Sequence, residues 1–272
     1  MIDRKTWLSL FFAFLLAIGY GIFQARFASS PEVFSLLTPV IFLFFIWAVG
    51  IIGIVFAKNE KLKLPFFTKP NKTLYLIPLI GLGLSILPFL AAIPFGALDQ
   101  KGLFATVQRP GGKIGILVVT LLVTYPLASI LAGVLFLGEE IYWRGYLWEK
   151  LKGGGVLKAI GLIALFWMLW SIPALLYGYT VAGTTFSKVA YDLVCNLLLT
   201  PILVYFRLKG KSIFAAAFAR SSIMMAFGLL FAFFPSLATD IIHIYGLFIL
   251  AVLLLFSLWL KLFSSATWKK LL

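Results

Sequence analysis

The sequence predicts an all-α, polytopic membrane protein with about eight transmembrane helices and both termini cytoplasmic, a single transmembrane domain over residues 1–272. Three observations predict it. The chain is 62% hydrophobic and 12% charged, with a mean hydropathy of +1.08, whereas a soluble domain is ~45–50% apolar and ~25% charged. Its apolar residues fall in runs of about 20, the length a helix needs to cross a bilayer. Its basic residues lie in short segments between those runs and crowd one side.

The first run, Trp7–Phe27, is longer than the ~7–15-residue core of a secretory signal and reads as a span, with no cleavable leader expected. Leu36–Ala57 is the second. The third, Leu74–Phe95, carries Pro78, Pro88 and Pro94 with Gly81 and Gly83, and is expected to be kinked, because proline lacks the N–H donor and crowds the preceding turn. Ile114–Leu137 is the fourth and stops at a pair of acids. Gly153, Gly154 and Gly155 make a turn before the fifth, Leu157–Tyr177. Phe186–Phe206, Ile213–Phe233 and Ile241–Phe263 complete the set.

With the N-terminus inside, the cytoplasmic segments hold Arg4, Lys5, Lys58, Lys61, Lys63, Lys69, Lys72, Arg144, Lys150, Lys152, Lys158, Arg207, Lys209, Lys211, Lys261, Lys269 and Lys270. The outer loops hold Arg26, Lys101, Arg109, Lys113 and Lys188. This asymmetry sets the orientation and fits a prokaryotic plasma membrane. The formal charge of +14 therefore points to a bilayer with anionic head groups as partner, not to nucleic acid. One cysteine, Cys195, excludes an internal disulfide and a cysteine-rich zinc site; it reads as a packed thiol. His243, beside Asp240, reads as an interfacial or capping residue.

The chemistry gathers after the fourth run. Glu139 and Glu140 open the stretch Glu139-Glu140-Ile141-Tyr142-Trp143-Arg144-Gly145. Each ionisable group at membrane depth costs at least ~2.5–3.5 kcal/mol. Pairing, a water-filled cavity or catalysis must offset that. Glu140 and Arg144 are four apart and share a helical face. Adjacent buried acids raise one another's pKa, which suits a general base. From these residues alone, an ion-paired staple between helices and a catalytic base both stay open. Asp192 and Asn196, also four apart, either line the same cavity or hydrogen-bond between helices. Most of the aromatics around the motif, Trp170 among them, read as packing or interfacial residues, with a lipid groove as the alternative.

This stretch resembles the E-E-x-x-x-R-G motif of the CAAX protease and bacteriocin-processing family, the type II CAAX prenyl endopeptidase-like intramembrane proteases. Two further motifs of that family follow in order. Trp167-Met168-Leu169-Trp170-Ser171-Ile172-Pro173 is similar to W-x-L-W-H-x-P, and Arg220 to Met224 stands where H-x-x-x-N belongs. The resemblance covers roughly residues 118–230. It implies that the first glutamate and the second-motif histidine activate water, with or without zinc, and that the third-motif histidine and asparagine assist.

Here Ser171 replaces the first histidine, Arg220 the second and Met224 the asparagine. Serine is a poor zinc ligand, arginine stays cationic, and methionine cannot donate to an oxyanion. The expectation is a non-catalytic pseudoprotease acting as a scaffold or binding a membrane-protein or peptide partner, with no metal and no cofactor. Arg220 is expected to join Glu139, Glu140 and Arg144 in a neutral buried cluster. The alternatives are an active intramembrane endopeptidase using Glu139 or Glu140, and a carrier or immunity-type protein binding a solute or toxin.

Overall fold

In lipid the backbone must satisfy its own polar groups, so apolar runs become helices. The computed structural model describes residues 2–27, 31–67, 69, 71–92, 94, 119–176, 186–233 and 244–272, and the regular elements among them are helical throughout. They are α1 (Arg4–Phe27), α2 (Pro31–Asn59), α3 (Lys72–Ala92), α4 (Tyr125–Glu140), α5 (Trp148–Leu151), α6 (Val156–Leu176), α7 (Phe186–Lys209), α8 (Ile213–Phe233), α9 (Ile244–Trp259) and α10 (Ser265–Leu271). π-helical turns at Thr120–Thr124 and Ile141–Leu147 flank α4. Asp240, His243, Lys101, Arg109 and Lys113 lie outside the described residues.

The protein is an all-α, polytopic membrane protein. Among the described residues six helices are long and apolar enough to cross a bilayer, and two shorter apolar helices cover Ile213–Leu229 and Gly246–Trp259. The fourth expected span differs most. It does not stop at Leu137 but runs on through the acids as one rod, Thr120–Gly154. Hydropathy falls at Glu139, Glu140 and Arg144, yet these groups find partners inside the bundle, so nothing forces the helix to end. The first π turn has its own cause. Pro126 cannot donate and crowds the carbonyl four residues back. The chain widens just before it, with Tyr125 N–H reaching Thr120 O.

α4 is the central element. It packs most extensively on α8 and also on α2; α8 packs on α3, α6 on α1 and α7, and α9 on α3 and α7. Small residues let the backbones close up. A Cβ on Gly138 would lie 2.5 Å from Ile46 O and 2.8 Å from Trp47 Cα, and one on Gly50 would lie 2.6 Å from Gly138 O. This mutual notch, directly before Glu139, fixes where the acids enter the bundle.

Three helices end in the same way. Lys61, Lys211 and Lys261 have φ of 57°, 54° and 54°. In each, the next residue's N–H returns to a carbonyl five back: Leu62 to Ala57, Ser212 to Arg207 and Leu262 to Ser257. Glycine is the usual residue at this left-handed position, which costs another side chain ~1–2 kcal/mol. Lys61→Gly and Lys211→Gly are each expected to stabilise the fold by ~1 kcal/mol, read as a rise in the thermal unfolding midpoint in detergent.

A polar latch holds the N-terminus to the far end of the central rod. Lys150 Nζ lies 2.6 Å from Asp3 Oδ2 and also ion-pairs with Glu60, whose Oε1 accepts from Tyr146 Oη at 2.9 Å. The Lys150 ammonium and a bond from Thr6 hold the Asp3 carboxyl well below the usual carboxylate range. A carboxyl depressed on folding adds stability above its unfolded pKa of ~3.9 and loses it as pH falls below that. Half of the Asp3 side chain is exposed, so the effect is small and screened by salt. Amide protection over residues 3–9, with exchange corrected for its intrinsic pH dependence, is expected to fall modestly below pH ~4 in wild type, while Asp3→Asn shows slightly lower protection with no such pH dependence.

Candidate functional site

Glu139 and Glu140 close α4, and Arg144 sits in the π turns that follow. Arg220 comes from the middle of α8. All four are inside the bundle: Glu140 and Arg144 are 0% exposed, Glu139 2% and Arg220 8%.

Their charges interlock. Arg220 Nη1 lies 2.7 Å from Glu139 Oε2 and 3.5 Å from Glu140 Oε1, and Nη2 donates to Glu139 Oε1 at 3.4 Å. Arg144 Nη1 donates to Glu140 Oε1 at 3.2 Å, and its Nη2 to Thr200 Oγ1 at 3.2 Å. Trp167 Nε1 donates to Glu139 Oε2 at 3.1 Å. Both guanidiniums lie over the same indole, with Arg144 Cζ 4.0 Å and Arg220 Cζ 5.1 Å from the Trp167 ring centre; Arg220 also lies 4.4 Å from the Phe136 ring. Two acids and two bases cancel, and the rings shield what remains. Glu139 thus spends both oxygens on donors.

The remaining sequence candidates stand apart from this knot. Ser171 Oγ donates to the Trp167 or Met168 carbonyl and accepts from Asn196 Nδ2 at 3.0 Å, linking α6 to α7. Trp170 donates to Ala13 O at 3.0 Å and stacks on Phe45 with ring centres 4.7 Å apart, so it anchors α6 to α1 and α2. A cavity of about 410 Å³ adjoins the knot. Glu139 and Arg220 line it, as do Trp170, Ser171, Asp192, Cys195, Asn196 and Met224. Cys195 is therefore half-buried on a cavity wall.

Sequence reasoning assigned no role to Thr200 or to the Trp167 indole N–H, which lie 56 and 28 residues from their partners. It also placed Arg207 among the loop cations. Arg207 is buried, ion-pairs with Glu149, and donates from Nε to Arg144 O at 2.7 Å. The signal that could have found it was Glu149 itself, an acid needing a partner at the end of an apolar run.

Among the described residues no group of three or more His, Cys, Asp or Glu side chains could hold a metal ion. The donor set at Glu139 does not fit zinc either. Such a site needs about three N, O or S ligands and an open position, whereas a permanent cation lies 2.7 Å from the carboxylate here.

This arrangement can be compared with known proteins. Residues 117–226 match the family model described as type II CAAX prenyl endopeptidase Rce1-like. The match covers less than half of the chain. It takes in the Glu139–Gly145 stretch, the Trp167–Pro173 stretch and the Arg220–Met224 stretch, and so holds all four members of the charged knot. No curated protein matches the chain. The CAAX-protease-like segment thus comprises the central rod, α6, α7 and most of α8; α1, α2, α3 and α9 pack around it.

Proposed function

We propose that this chain is a non-catalytic relative of the CAAX-type membrane proteases, a pseudoprotease that serves as a scaffold or partner-binding subunit in a prokaryotic plasma membrane. One observation carries the reading: the Arg220 guanidinium pairs with Glu139 at 2.7 Å, at the position where the resemblance implies a histidine. A general base must be free to take a proton from water and pass it on. Glu139 is instead neutralised by a group that cannot be deprotonated. At the other two family positions, Ser171 supplies no imidazole and Met224 no oxyanion donor. On this reading Glu139, Glu140 and Arg144 persist as a structural frame.

The same proposal has eight crossings, with α8 and α9 as the two short ones, both termini cytoplasmic, and the whole of residues 1–272 as one membrane domain. The lysine-rich inner segments then face anionic head groups, and the partner is a membrane protein or peptide.

A second reading, an active intramembrane endopeptidase, has one observation in its favour: the cavity reaches Glu139. The two separate in an assay of the purified full-length protein with prenylated and unprenylated peptides, with and without added zinc. The expected result is no cleavage above the level of Glu139→Gln. Cleavage that disappears in Glu139→Gln, or stoichiometric zinc binding lost in that variant, would overturn the pseudoprotease reading.

A further inference from the structure

The cavity wall carries a charge that the knot does not cancel. Glu139 and Arg220, which face the cavity, neutralise one another at 2.7 Å. Asp192 also faces it, and among the described residues no cation or hydrogen-bond donor engages its carboxylate. Asn196, one turn along α7 and lining the same cavity, spends its Nδ2 donor on Ser171 Oγ. Its Oδ1 accepts from no described residue. The α7 side of the cavity thus offers an acid and a carbonyl, both acceptors, with Tyr191 beside them on the same wall.

Much of the rest of the wall is apolar, with Leu175, Phe227, Ile249 and Leu253 contributed by α6, α8 and α9. Asp192 lies six residues into α7, ~9 Å along the axis from Phe186, at the end opposite Arg207 and Lys209. Asp192 is therefore nearer one end of α7, and Asn196 lies one turn deeper, toward the middle of the helix. Pockets that bind small molecules have this form: mostly apolar walls, a volume of ~300–1,000 Å³ and a few polar groups that fix orientation.

We propose that this cavity binds a long-chain primary amine, with its ammonium on Asp192 and Asn196 and its alkyl chain between α6, α8 and α9. An ammonium brings three donors and one positive charge, which answers two acceptors and one uncancelled negative charge. An anionic amphiphile would have to take Arg220 from Glu139. A neutral alcohol would leave the carboxylate charge unanswered. The inference concerns the cavity and does not depend on the loss of catalysis: Glu139-dependent peptide cleavage would sink the pseudoprotease reading and leave amine binding standing.

The test uses the full chain in phosphatidylcholine nanodiscs and radiolabelled dodecylamine, with empty nanodiscs to subtract partitioning into lipid. The expected result is one saturable site per chain, competed by unlabelled dodecylamine but not by dodecanol or dodecanoate. Asp192→Asn should bind about tenfold more weakly, while Asp192→Glu keeps most of the affinity. Thermal unfolding of each variant shows whether it is folded. Competition by dodecanol or dodecanoate as strong as by the amine would overturn the proposal, as would binding no greater than to empty nanodiscs or a folded Asp192→Asn with wild-type affinity. The competition series uses wild-type protein alone, so it decides the matter even if Asp192→Asn fails to fold.

Discussion

Arg220→Ala is expected to destabilise the protein by ~3–5 kcal/mol, the cost of leaving a buried charge without its partner. Glu140 would keep its pair with Arg144, and Glu139 would keep the hydrogen bond from the Trp167 indole but lose its ion pair. The informative comparison is the double variant Glu139→Leu, Arg220→Met. Removing both charges also removes the desolvation penalty of several kcal/mol per ion, and replacing whole buried pairs by apolar residues is commonly neutral or stabilising by ~1–4 kcal/mol. Against that gain stands the orphaned Trp167 N–H, worth ~1–3 kcal/mol. The two nearly cancel, so the double variant is expected within about 1–2 kcal/mol of wild type and clearly above Arg220→Ala. Unfolding of wild type, Glu139→Leu, Arg220→Met and the double variant in detergent gives the coupling directly. Additive losses would mean that the two side chains do not act as a pair.

The second large effect lies one residue before the acids. Gly138→Ala should gain ~1 kcal/mol from helix propensity alone. It is expected to lose more than that, because the new Cβ would fall 2.5 Å from Ile46 O and 2.8 Å from Trp47 Cα. Those atoms are backbone of α2 and cannot rotate away, so the cost sits at or above the upper end of the ~1–3 kcal/mol typical of overpacking. Gly138→Leu is expected to abolish the monodisperse peak in gel filtration of the detergent extract. Gly161, in α6, is the control: a Cβ there meets nothing within 4 Å, so Gly161→Ala should be neutral or stabilising. If Gly138→Ala and Gly161→Ala behave alike, α2 and α4 are not in backbone contact at that point.

What could be read from the sequence follows the distance over which each interaction acts. The pairing of Glu140 with Arg144 is a matter of helical spacing, four residues on one face, and needs no tertiary information. The long apolar helices follow from residue type alone. The end of the fourth span was misplaced because a hydropathy window reacts to charge and cannot see that Arg220, 81 residues away, neutralises Glu139. Arg220 was legible as a cation in need of an anion, since lipid leaves it no other partner. Thr200 was not, because a threonine in an apolar helix is tolerated there without any role. The latch of Asp3, Glu60 and Lys150 was equally hidden: three surface-type residues from three distant segments look like ordinary solvated charges until the fold brings them together.

The π turns at Ile141–Leu147 decide how the two ends of the central rod face their neighbours. With the wider i→i+5 winding, these seven residues turn through about the angle that six would in an α-helix. Taking one residue out of the heptapeptide would let it return to ordinary winding with the helix beyond it nearly in phase, so Glu149 would still face Arg207 and Lys150 would still face Asp3 and Glu60. Taking one residue out of the regular turns of α4 would instead swing one part of the rod by ~100° against the other. The wide turn thus acts as a slack link between two charge lattices on a single helix, and a one-residue deletion should be better tolerated there than in α4.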